Sequence, residues 1–458
     1  MLFVSTSFLF IFLPSLLVFT WFLKRKYFNA VLLVGSIFFY WIGNGFFLII
    51  IFYIAILMHL QIKYNYLSNR ATVLLILMPL LWFKYAGFAV GMLAKIFDIS
   101  LNTYSGELPL GISFFTFQSI AYYIDTKKKG QNHLNSLSEV VLFLTFFPQL
   151  VAGPIIKSIN FKSDLLKIDR FKTDEIQYGI LRIGYGLIKK LLFANSLSRL
   201  VDIQTQAFET GISMLSAWII VLAFSFQIYF DFSGYCDIAV GLGKLLGFDL
   251  PENFNFPYQA KSFSEFWTRW HITLTQFFRD YVYIPLGGNR NGVLKTYRNL
   301  WITFLLTSLW HGANYNFILW GVIHGLFLSV EKIFSKSAIF SFLFKRRITT
   351  FILISISWIP FRFSEFNHIG VILKSLFSFS FINDHTMALL VTEINFLTLI
   401  AFVAGILSVV ISEETIGRLH KNLFTLKLSY SIYIYSVLLV GLIGVFISEY
   451  YPFIYFRF

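Results

Sequence analysis

Residues 299–325 read "NLWITFLLTSLWHGANYNFILWGVIHG", with three tryptophans, two histidines and no carboxylate or strong cation. The stretch is apolar enough to lie in a bilayer, yet His311 and His324 carry titratable imidazoles. An ionisable side chain at membrane depth is costly and indicates a functional site. The Gly-Ala-Asn sequence at 312–314 predicts an irregular or closely packed backbone. From these residues alone, His311 is explained equally well as an acid–base catalyst or as a structural histidine bonded to a carbonyl.

The composition of the chain predicts a membrane protein. Of its 458 residues, 57% are hydrophobic, 20% aromatic and 13% charged, whereas a soluble protein has about 25% charged residues. Apolar runs of roughly 18 residues or more recur along the chain, as in proteins that cross the bilayer several times. The first run, residues 1–23, has no cation before it and no small-residue cleavage pattern, which indicates an uncleaved span. We expect one all-α polytopic membrane domain over residues 1–458.

The net charge of +14 follows the pattern of membrane topology. The cations lie in short clusters between apolar runs, as the positive-inside rule expects of cytoplasmic loops. This places Lys24, Lys63 and Lys127–Lys129 in the cytoplasm and Met1 outside. No basic helix or aromatic-plus-basic strand motif is present, so we expect no nucleic-acid partner. The single cysteine, Cys236, excludes an internal disulfide and a cysteine-rich metal site.

The apolar runs predict about ten or eleven helices. They include Phe28–Trp41, Phe46–Leu60, Ala71–Phe97, Glu175–Val201, Ile212–Tyr229, Trp301–Trp310, Phe317–Phe334, Arg347–Pro360, Asn395–Ser412 and Tyr430–Tyr450. The run 139–155 lies between two basic stretches and is interrupted by Pro148, Gly153 and Pro154. It predicts a re-entrant segment, whose backbone must be satisfied by protein or by a water-filled cavity.

Residues 262–290, "SFSEFWTRWHITLTQFFRDYVYIPLGGNR", hold the next candidate site. Ser262 followed by Glu265 is a capping-box signature and predicts a helix start. Aromatic residues then recur at helical spacing and place His271 on the apolar stripe of one helix. His271 is either a hydrogen-bonded core histidine or a functional one. The "PLGGNR" segment lacks the Lys-Ser/Thr end and the preceding strand of a phosphate loop, which favours a turn.

Asp231 and Asp237 are carboxylates in an apolar context. Asp231 is expected to orient a histidine or to pair with Arg269 or Arg279, and we favour the pairing. The small residues around them permit close helix approach in lipid. His324 follows His311 by thirteen residues, about 220° round a continuous helix, which favours a packing role. No metal-binding spacing is present, so no metal is predicted.

Five segments in order carry a family resemblance. They are "LPLGISFFTFQSIAYYID", "FFPQLVAGPI", "DFSGYCDIAVGLGKLLGFDLPENFNFPY", "FWTRWHITLTQFFRDYVYIPLGGNR" and "LWHGANYNFILWGVIHG". Together they resemble the membrane-bound O-acyltransferase (MBOAT) family, in the branch of bacterial alginate and peptidoglycan O-acetyltransferases. The ending "PFIYFRF" is also similar, so the resemblance runs from about Leu2 to Phe458. Cys236 and Arg457 depart from the serine and glutamine that are more usual there.

The resemblance implies a bundle of helices with re-entrant segments around a central tunnel. It implies that His311 in "WHGA" is the invariant catalytic histidine, and that His271 in "RWHIT" is the second functional one. We expect substrate-binding roles for a further set of residues near these motifs. They are Arg269, Arg279, Asn314, Trp310 and Asp231.

The resemblance also implies the reaction. Acetyl would pass from a cytoplasmic donor, acetyl-CoA, across a bacterial cytoplasmic (inner) membrane to an extracytoplasmic polysaccharide, peptidoglycan or alginate-like. No tightly bound cofactor is expected, and a separate SGNH-type acetyltransferase is the expected partner. The alternatives are an MBOAT D-alanyl transferase for teichoic acid and a non-enzymatic transporter or channel. The transporter alternative lacks the inverted repeat and paired broken helices typical of that class.

Overall fold

A computed structural model describes residues 2–99, 107–129, 134–167, 171–205, 208, 211–380, 394–412, 414–415, 427–449 and 451–454. Every regular element within these ranges is helical, and they contain no β-strand. This confirms the all-α prediction. Residues 100–106 and the last four residues of "PFIYFRF", including Arg457, lie outside the described residues.

The chain divides into two compact units, Met1–Ile183 with Tyr235–Pro251 and Gly184–Gly234 with Glu252–Phe458. The prediction of one domain over residues 1–458 stays a prediction. Two helices, Thr173–Leu187 and Met214–Leu245, have residues in both units.

The other α-helices of the first unit are Leu13–Phe22, Phe28–Asn44, Leu48–Tyr64, Asn69–Leu80, Ala86–Phe97, Ile112–Lys129, Leu137–Thr145, Phe147–Leu150 and Ser158–Leu166. Its π-helical turns are Phe8–Phe12 and Leu81–Tyr85, and its 3-10 turns are Arg25–Tyr27 and Gly45–Phe47.

The other α-helices of the second unit are Asn195–Gln204, Phe263–Arg269, Ile272–Phe278, Val293–His311, Tyr315–Ile333, Ala338–Phe344, Arg347–Ser357, Ile359–Arg362, Phe366–Ser375, Phe396–Val410 and Lys427–Ile447. Its π-helical turns are Ile188–Ala194 and Arg279–Tyr283, and Pro257–Gln259 is a 3-10 turn.

Five helical stretches among the described residues are long and apolar enough to cross a membrane. They are Arg25–Tyr64, Asn69–Phe97, Met214–Leu245, Tyr315–Ile333 and Tyr430–Ile447. The prediction of a polytopic membrane protein is confirmed. The described ranges hold more and shorter helical segments than the ten or eleven expected, because short turns and breaks interrupt the apolar runs.

Two such interruptions follow from the residue types. Gly45 ends the helix Phe28–Asn44, and a 3-10 turn leads into Leu48–Tyr64, so the predicted spans Phe28–Trp41 and Phe46–Leu60 are both helical. Pro79 lies inside the stretch Asn69–Phe97 and is followed by the π-helical turn Leu81–Tyr85. Proline has no N–H to donate and clashes with the preceding turn, and a local π turn absorbs the change in register.

The predicted re-entrant segment is a broken, buried stretch of the first unit. Its helix Leu137–Thr145 ends at Phe146, whose backbone has φ −51° and ψ 101°, and the short helix Phe147–Leu150 follows. The Gln118 amide donates to the Gln149 side chain (3.3 Å) and to the Ile156 carbonyl (3.2 Å). Gln149 in turn donates to the Phe143 carbonyl. Buried side-chain amides thus satisfy backbone groups that the break leaves open.

The second unit contains a tight helical hairpin formed by Val293–His311 and Tyr315–Ile333. Its helices approach closely, since a Cβ placed on Gly321 would lie 2.6 Å from the Ser308 side chain. At the other end, buried Asn299 donates to the carbonyls of Leu286 (3.1 Å) and Gly288 (2.9 Å). These bonds hold the "PLGGNR" segment as a turn, in which Gly287 and Gly288 have φ of +104° and +56°.

The helix Met214–Leu245 corrects the predicted span Ile212–Tyr229, because it continues past Tyr229 through Asp231 and Asp237. The helix continues because both carboxylates on it have ion-pair partners. Lys190 lies 2.7 Å from Asp231, and Arg182 lies 2.6 Å from Asp237. A paired carboxylate does not force the helix to end at the apolar boundary.

Small residues on this helix allow close packing, as the sequence predicted. A Cβ on Gly241 would lie 2.5 Å from the Gly179 carbonyl oxygen, so the helix Thr173–Leu187 and the helix Met214–Leu245 meet through their backbones. We expect Gly241→Ala to destabilise the protein by about 1–3 kcal/mol, since overpacking a close contact has that cost. Thermal unfolding in detergent measures the change.

Gly370→Ala is the matched control. Gly370 is exposed on the helix Phe366–Ser375, and a Cβ there would meet nothing within 4 Å. This variant should be neutral or slightly stabilised, because alanine favours a helix over glycine by up to about 1 kcal/mol. Equal melting temperatures for the two variants would contradict the backbone contact at Gly241.

Candidate active site

His311 is the last residue of the helix Val293–His311 and is 4% exposed. The helix ends there because Gly312 takes an extended conformation, and Asn314 begins the next helix. The predicted irregular backbone at 312–314 is therefore present. A Cβ on Gly312 would lie 2.2 Å from the Phe317 ring, so only glycine lets the chain turn this closely. The imidazole consequently lies at a helix break within the second unit.

Aromatic rings surround this imidazole. The His311 ring centroid lies 4.8 Å from Trp310, 5.0 Å from Trp320 and 5.1 Å from Phe361, each in an edge-to-face arrangement. Trp310, Trp320 and Phe361 are almost fully buried. We call these three rings the aromatic wall. Edge-to-face geometry holds each ring in a defined orientation, so the position of the imidazole is fixed on several sides.

His271 also lies at a helix break, which corrects the predicted continuous helix through residues 262–281. Two seven-residue helices, Phe263–Arg269 and Ile272–Phe278, flank it. His271 has φ +43° and ψ 54°, the left-handed region that only a few per cent of residues other than glycine occupy. The predicted capping box does start the first helix, since the Ser262 hydroxyl accepts from the Glu265 N–H (3.1 Å).

Neighbouring residues hold this strained conformation. The Asn253 side chain accepts from the N–H (3.1 Å) and hydroxyl (2.7 Å) of Thr273, and the Asn253 carbonyl accepts from the Ile272 N–H (3.0 Å). Sequence reasoning missed Asn253, although the alternation of asparagine and phenylalanine in "ENFNFPY" was a usable signal. Backbone strain that is held in place by such bonds is common at functional sites.

The two histidines share one neighbour. The His271 ring lies 5.9 Å from Trp310 and 4.7 Å from Phe232, edge to face, while Trp310 also contacts His311. His271 is 1% exposed, and burial lowers the pKa of its imidazole to about 3. The ring is therefore neutral near pH 7, and the structure brings together His311, His271 and Trp310.

His324 lies on the second helix of the hairpin, so the angle computed for one continuous helix does not apply. It is fully buried, and its Nε2 is 3.1 Å from the Ser357 hydroxyl. Its ring lies 4.7 Å from Trp320 and 5.0 Å from Trp267. The favoured packing role agrees with these contacts, because His324 packs against Trp320, which also contacts His311.

The two arginines have different surroundings. Arg269 donates to Glu265 (3.0 Å) and to the Asn255 carbonyl (3.1 Å). Arg279 pairs with its neighbour Asp280 (2.9 Å), and its side chain is 58% exposed. None of these bonds has Asp231 as the partner. Their predicted substrate-binding roles stay predictions.

Asp231 has a different ion-pair partner from the predicted one. The pair is formed with Lys190, and the side chains of Asp231 and Lys190 are 3% and 7% exposed. Asp231 also accepts from the Ile454 N–H (2.8 Å). Lys190 was missed because it lies in an earlier helical segment, and only tertiary packing brings it close. The proposed pairing with Arg269 or Arg279 is wrong for this reason.

Asn314 is the N-cap of the helix Tyr315–Ile333, where its side-chain oxygen accepts from the Tyr315 N–H (2.7 Å). The residue is exposed. Its role in substrate binding stays a prediction. Within the part of the chain that the structure describes, no group of three or more His, Cys, Asp or Glu residues is placed to hold a metal ion.

Comparison with known proteins places this site in a family. The family model "MBOAT, membrane-bound O-acyltransferase family" matches residues 62–362, which include both histidines. The probable alginate O-acetylase of Pseudomonas aeruginosa is 38% identical over 401 residues, 83% of this chain and 75% of that protein.

Two further relatives are named for other activities. The peptidoglycan O-acetyltransferase of Helicobacter pylori is 37% identical over 331 residues, 64% of this chain and 62% of that protein. The teichoic acid D-alanyltransferase of Bacillus subtilis is 28% identical over 236 residues, 50% of this chain and 60% of that protein. The match over most of the chain, together with the buried histidine at a helix break, identifies the protein as a member of the membrane-bound O-acyltransferase family and as an acyltransferase.

Proposed function

We propose that this acyltransferase passes acetyl from cytoplasmic acetyl-CoA to an extracytoplasmic polysaccharide in a bacterial cytoplasmic membrane. The observation that carries the proposal is the placement of His311, a buried imidazole set in the aromatic wall at a helix break. Relatives named as alginate O-acetylase and peptidoglycan O-acetyltransferase, at 37–38% identity, support acetyl as the group and polysaccharide as the acceptor class.

The reaction requires one group that can take a proton, placed beside the hydroxyl that receives acetyl. As general base, His311 takes the hydroxyl proton while the oxygen attacks the thioester carbonyl of the donor. The C–S bond then breaks, CoA leaves as thiolate, and the imidazolium returns its proton to the sulfur. In the alternative, His311 attacks the carbonyl itself, the C–S bond breaks and CoA leaves as thiolate, so His311 carries acetyl as an acyl-imidazole. The acceptor hydroxyl then takes the acetyl group, and its proton passes to the imidazole nitrogen that is released. A passage open to each side of the membrane would let acetyl cross while CoA, which is too polar for lipid, stays in the cytoplasm.

His271 acts beside this centre. Its neutral imidazole packs against Trp310, and Trp310 packs against His311, so we propose that His271 positions the aromatic wall or contacts the acceptor. Arg279 has an exposed side chain that suits the phosphates of the donor. Arg269, by contrast, already bonds Glu265 and the Asn255 carbonyl.

A secreted SGNH-type acetyltransferase is the proposed partner that completes transfer to the polysaccharide. The second candidate function is D-alanyl transfer to teichoic acid, which the weaker similarity to the Bacillus subtilis enzyme favours. Assaying ester-linked D-alanine on teichoic acid beside ester-linked acetate decides between the two cargoes.

We expect His311→Ala to lower ester-linked acetate on peptidoglycan or exopolysaccharide by at least about a hundredfold, since general-base catalysis contributes about 10²–10⁴-fold. Acetate released by mild base from purified polymers is the measurement. His368→Ala is the matched control, because that imidazole is 37% exposed and lies beside Glu365. Normal acetate in the His311→Ala strain, with the protein present in the membrane, would defeat the proposal.

The same pair of variants tests the donor in inside-out membrane vesicles that contain the SGNH protein and are given radiolabelled acetyl-CoA. The polysaccharide should become labelled with the wild-type chain and with His368→Ala, but not with His311→Ala. The partner is tested with the wild-type chain in vesicles from a strain that lacks the SGNH protein, where the polysaccharide should stay unlabelled. Full polysaccharide labelling in its absence would remove the partner from the scheme.

The role of the His271 imidazole can be tested separately from the role of its left-handed backbone conformation. Glycine and asparagine adopt the left-handed conformation readily, so His271→Gly and His271→Asn should preserve the fold while removing the imidazole. We expect both variants to melt close to wild type and to lose at least about tenfold of the acetylation rate, measured in the vesicle assay. Wild-type rates in both would assign His271 a purely structural role.

The predicted topology places Lys127–Lys129 in the cytoplasm. Lys128 is exposed and Cys236 is buried, so a Lys128→Cys, Cys236→Ser protein has one accessible thiol. A membrane-impermeant maleimide should label it in inside-out vesicles and leave it unlabelled in intact spheroplasts. Labelling from outside the spheroplasts would reverse the orientation.

A further inference from the structure

An open groove of about 600 Å³ lies in the first unit, between the start of the helix Asn69–Leu80 and the end of the helix Ile112–Lys129. Its walls are apolar, formed by Val73, Leu74 and Ile124. The proposed acyl-transfer chemistry does not use this groove.

Three cations line one end of the groove, beside the ends of the two helices. They are Arg70, Lys127 and Lys128. Arg70 lies in the first turn of its helix and the two lysines in the last turn of theirs, while Val73, Leu74 and Ile124 lie about one turn further along. No carboxylate is among the described residues that line the groove. The groove therefore combines a positive end with an apolar body.

The positive end is held in place by hydrogen bonds. The Tyr123 hydroxyl donates to the Asn69 side chain (2.8 Å), and the Lys127 ammonium donates to the Asn65 side chain (2.8 Å) and the Gln61 carbonyl (3.2 Å). Tyr123 is fully buried. These bonds tie the two helix ends together and fix the width of the groove. Arg70 and Lys128 are exposed at its rim.

We propose that this groove binds one anionic glycerophospholipid. The phosphodiester lies among Arg70, Lys127 and Lys128, and one acyl chain lies along the apolar wall. The stretch Asn69–Phe97 is long and apolar enough to span a membrane, so its first turn lies where lipid headgroups are. Clustered basic residues at such a position attract anionic lipids, whereas a zwitterionic headgroup brings no net charge to three cations. A soluble phosphate compound has no chain to cover Val73, Leu74 and Ile124.

Native mass spectrometry of the full chain in detergent tests the proposal. The probes are dioleoyl phosphatidylglycerol, dioleoyl phosphatidylcholine and glycerol 3-phosphate, each titrated separately. We expect one tight phosphatidylglycerol site, and at least tenfold weaker binding of the other two compounds. Each basic residue near an anionic headgroup strengthens binding about fivefold, so an Arg70→Gln, Lys128→Gln protein should bind phosphatidylglycerol about 25-fold more weakly. Lys127 is left in place because it bonds Asn65.

Two further proteins act as controls. Lys24→Gln with Lys26→Gln removes two exposed cations that lie outside the groove and should leave binding unchanged. Val73→Trp keeps every cation and fills the groove, and it should weaken binding at least tenfold. Unaltered binding in Val73→Trp, or an equal loss in the Lys24 and Lys26 variant, would overturn the site. Equal affinity for glycerol 3-phosphate or for phosphatidylcholine would overturn the anionic-lipid assignment.

Discussion

Every break in a helix of this apolar chain leaves backbone N–H and C=O groups that lipid cannot satisfy. Buried carboxamide side chains meet this constraint repeatedly. The bonds are Asn299 to the Leu286 and Gly288 carbonyls, Gln259 to the Ser408 and Ile411 carbonyls, Asn316 to the Pro360 carbonyl, and Gln118 to the Ile156 carbonyl. Each amide replaces helical hydrogen bonds where the chain turns. The irregular backbone at these places therefore depends on these side chains as well as on apolar packing.

The same constraint explains why both candidate histidines lie at breaks. A side chain in the middle of a packed helix is surrounded by the turns before and after it. At a helix end the following residues turn away, so an imidazole can meet groups from other segments. His311 contacts Trp320 and Phe361 in this way. His271 reaches Trp310 because Asn253 holds the strained backbone beside it. A buried imidazole is thus positioned while the neighbouring backbone groups keep their hydrogen bonds.

Much of this arrangement could be predicted from the sequence. The apolar runs gave the helices, Ser262 the helix start, and the glycines of "PLGGNR" the turn. The break at His271 could not be predicted, because aromatic residues continue at helical spacing on both sides and a left-handed histidine is locally unfavourable. The continuation of the helix Met214–Leu245 past Asp231 was equally hidden. It depends on Lys190, whose proximity arises only when distant segments pack.

The charged residues that are predicted to bind substrate differ in burial, and therefore in how free they are to form a new bond. Asp231 has Lys190 on one oxygen and the Ile454 N–H on the other, and removing one partner of a buried pair strands the other charge. An acyl donor or acceptor would have to compete with both bonds. Arg269 is held in a similar way by Glu265 and a carbonyl. Arg279 is the exposed member of the set, and its bond to the adjacent Asp280 is screened by water and is weak. Arg279 is therefore the charge of this set that is most available to solvent, while both oxygens of Asp231 are committed to bonds within the second unit.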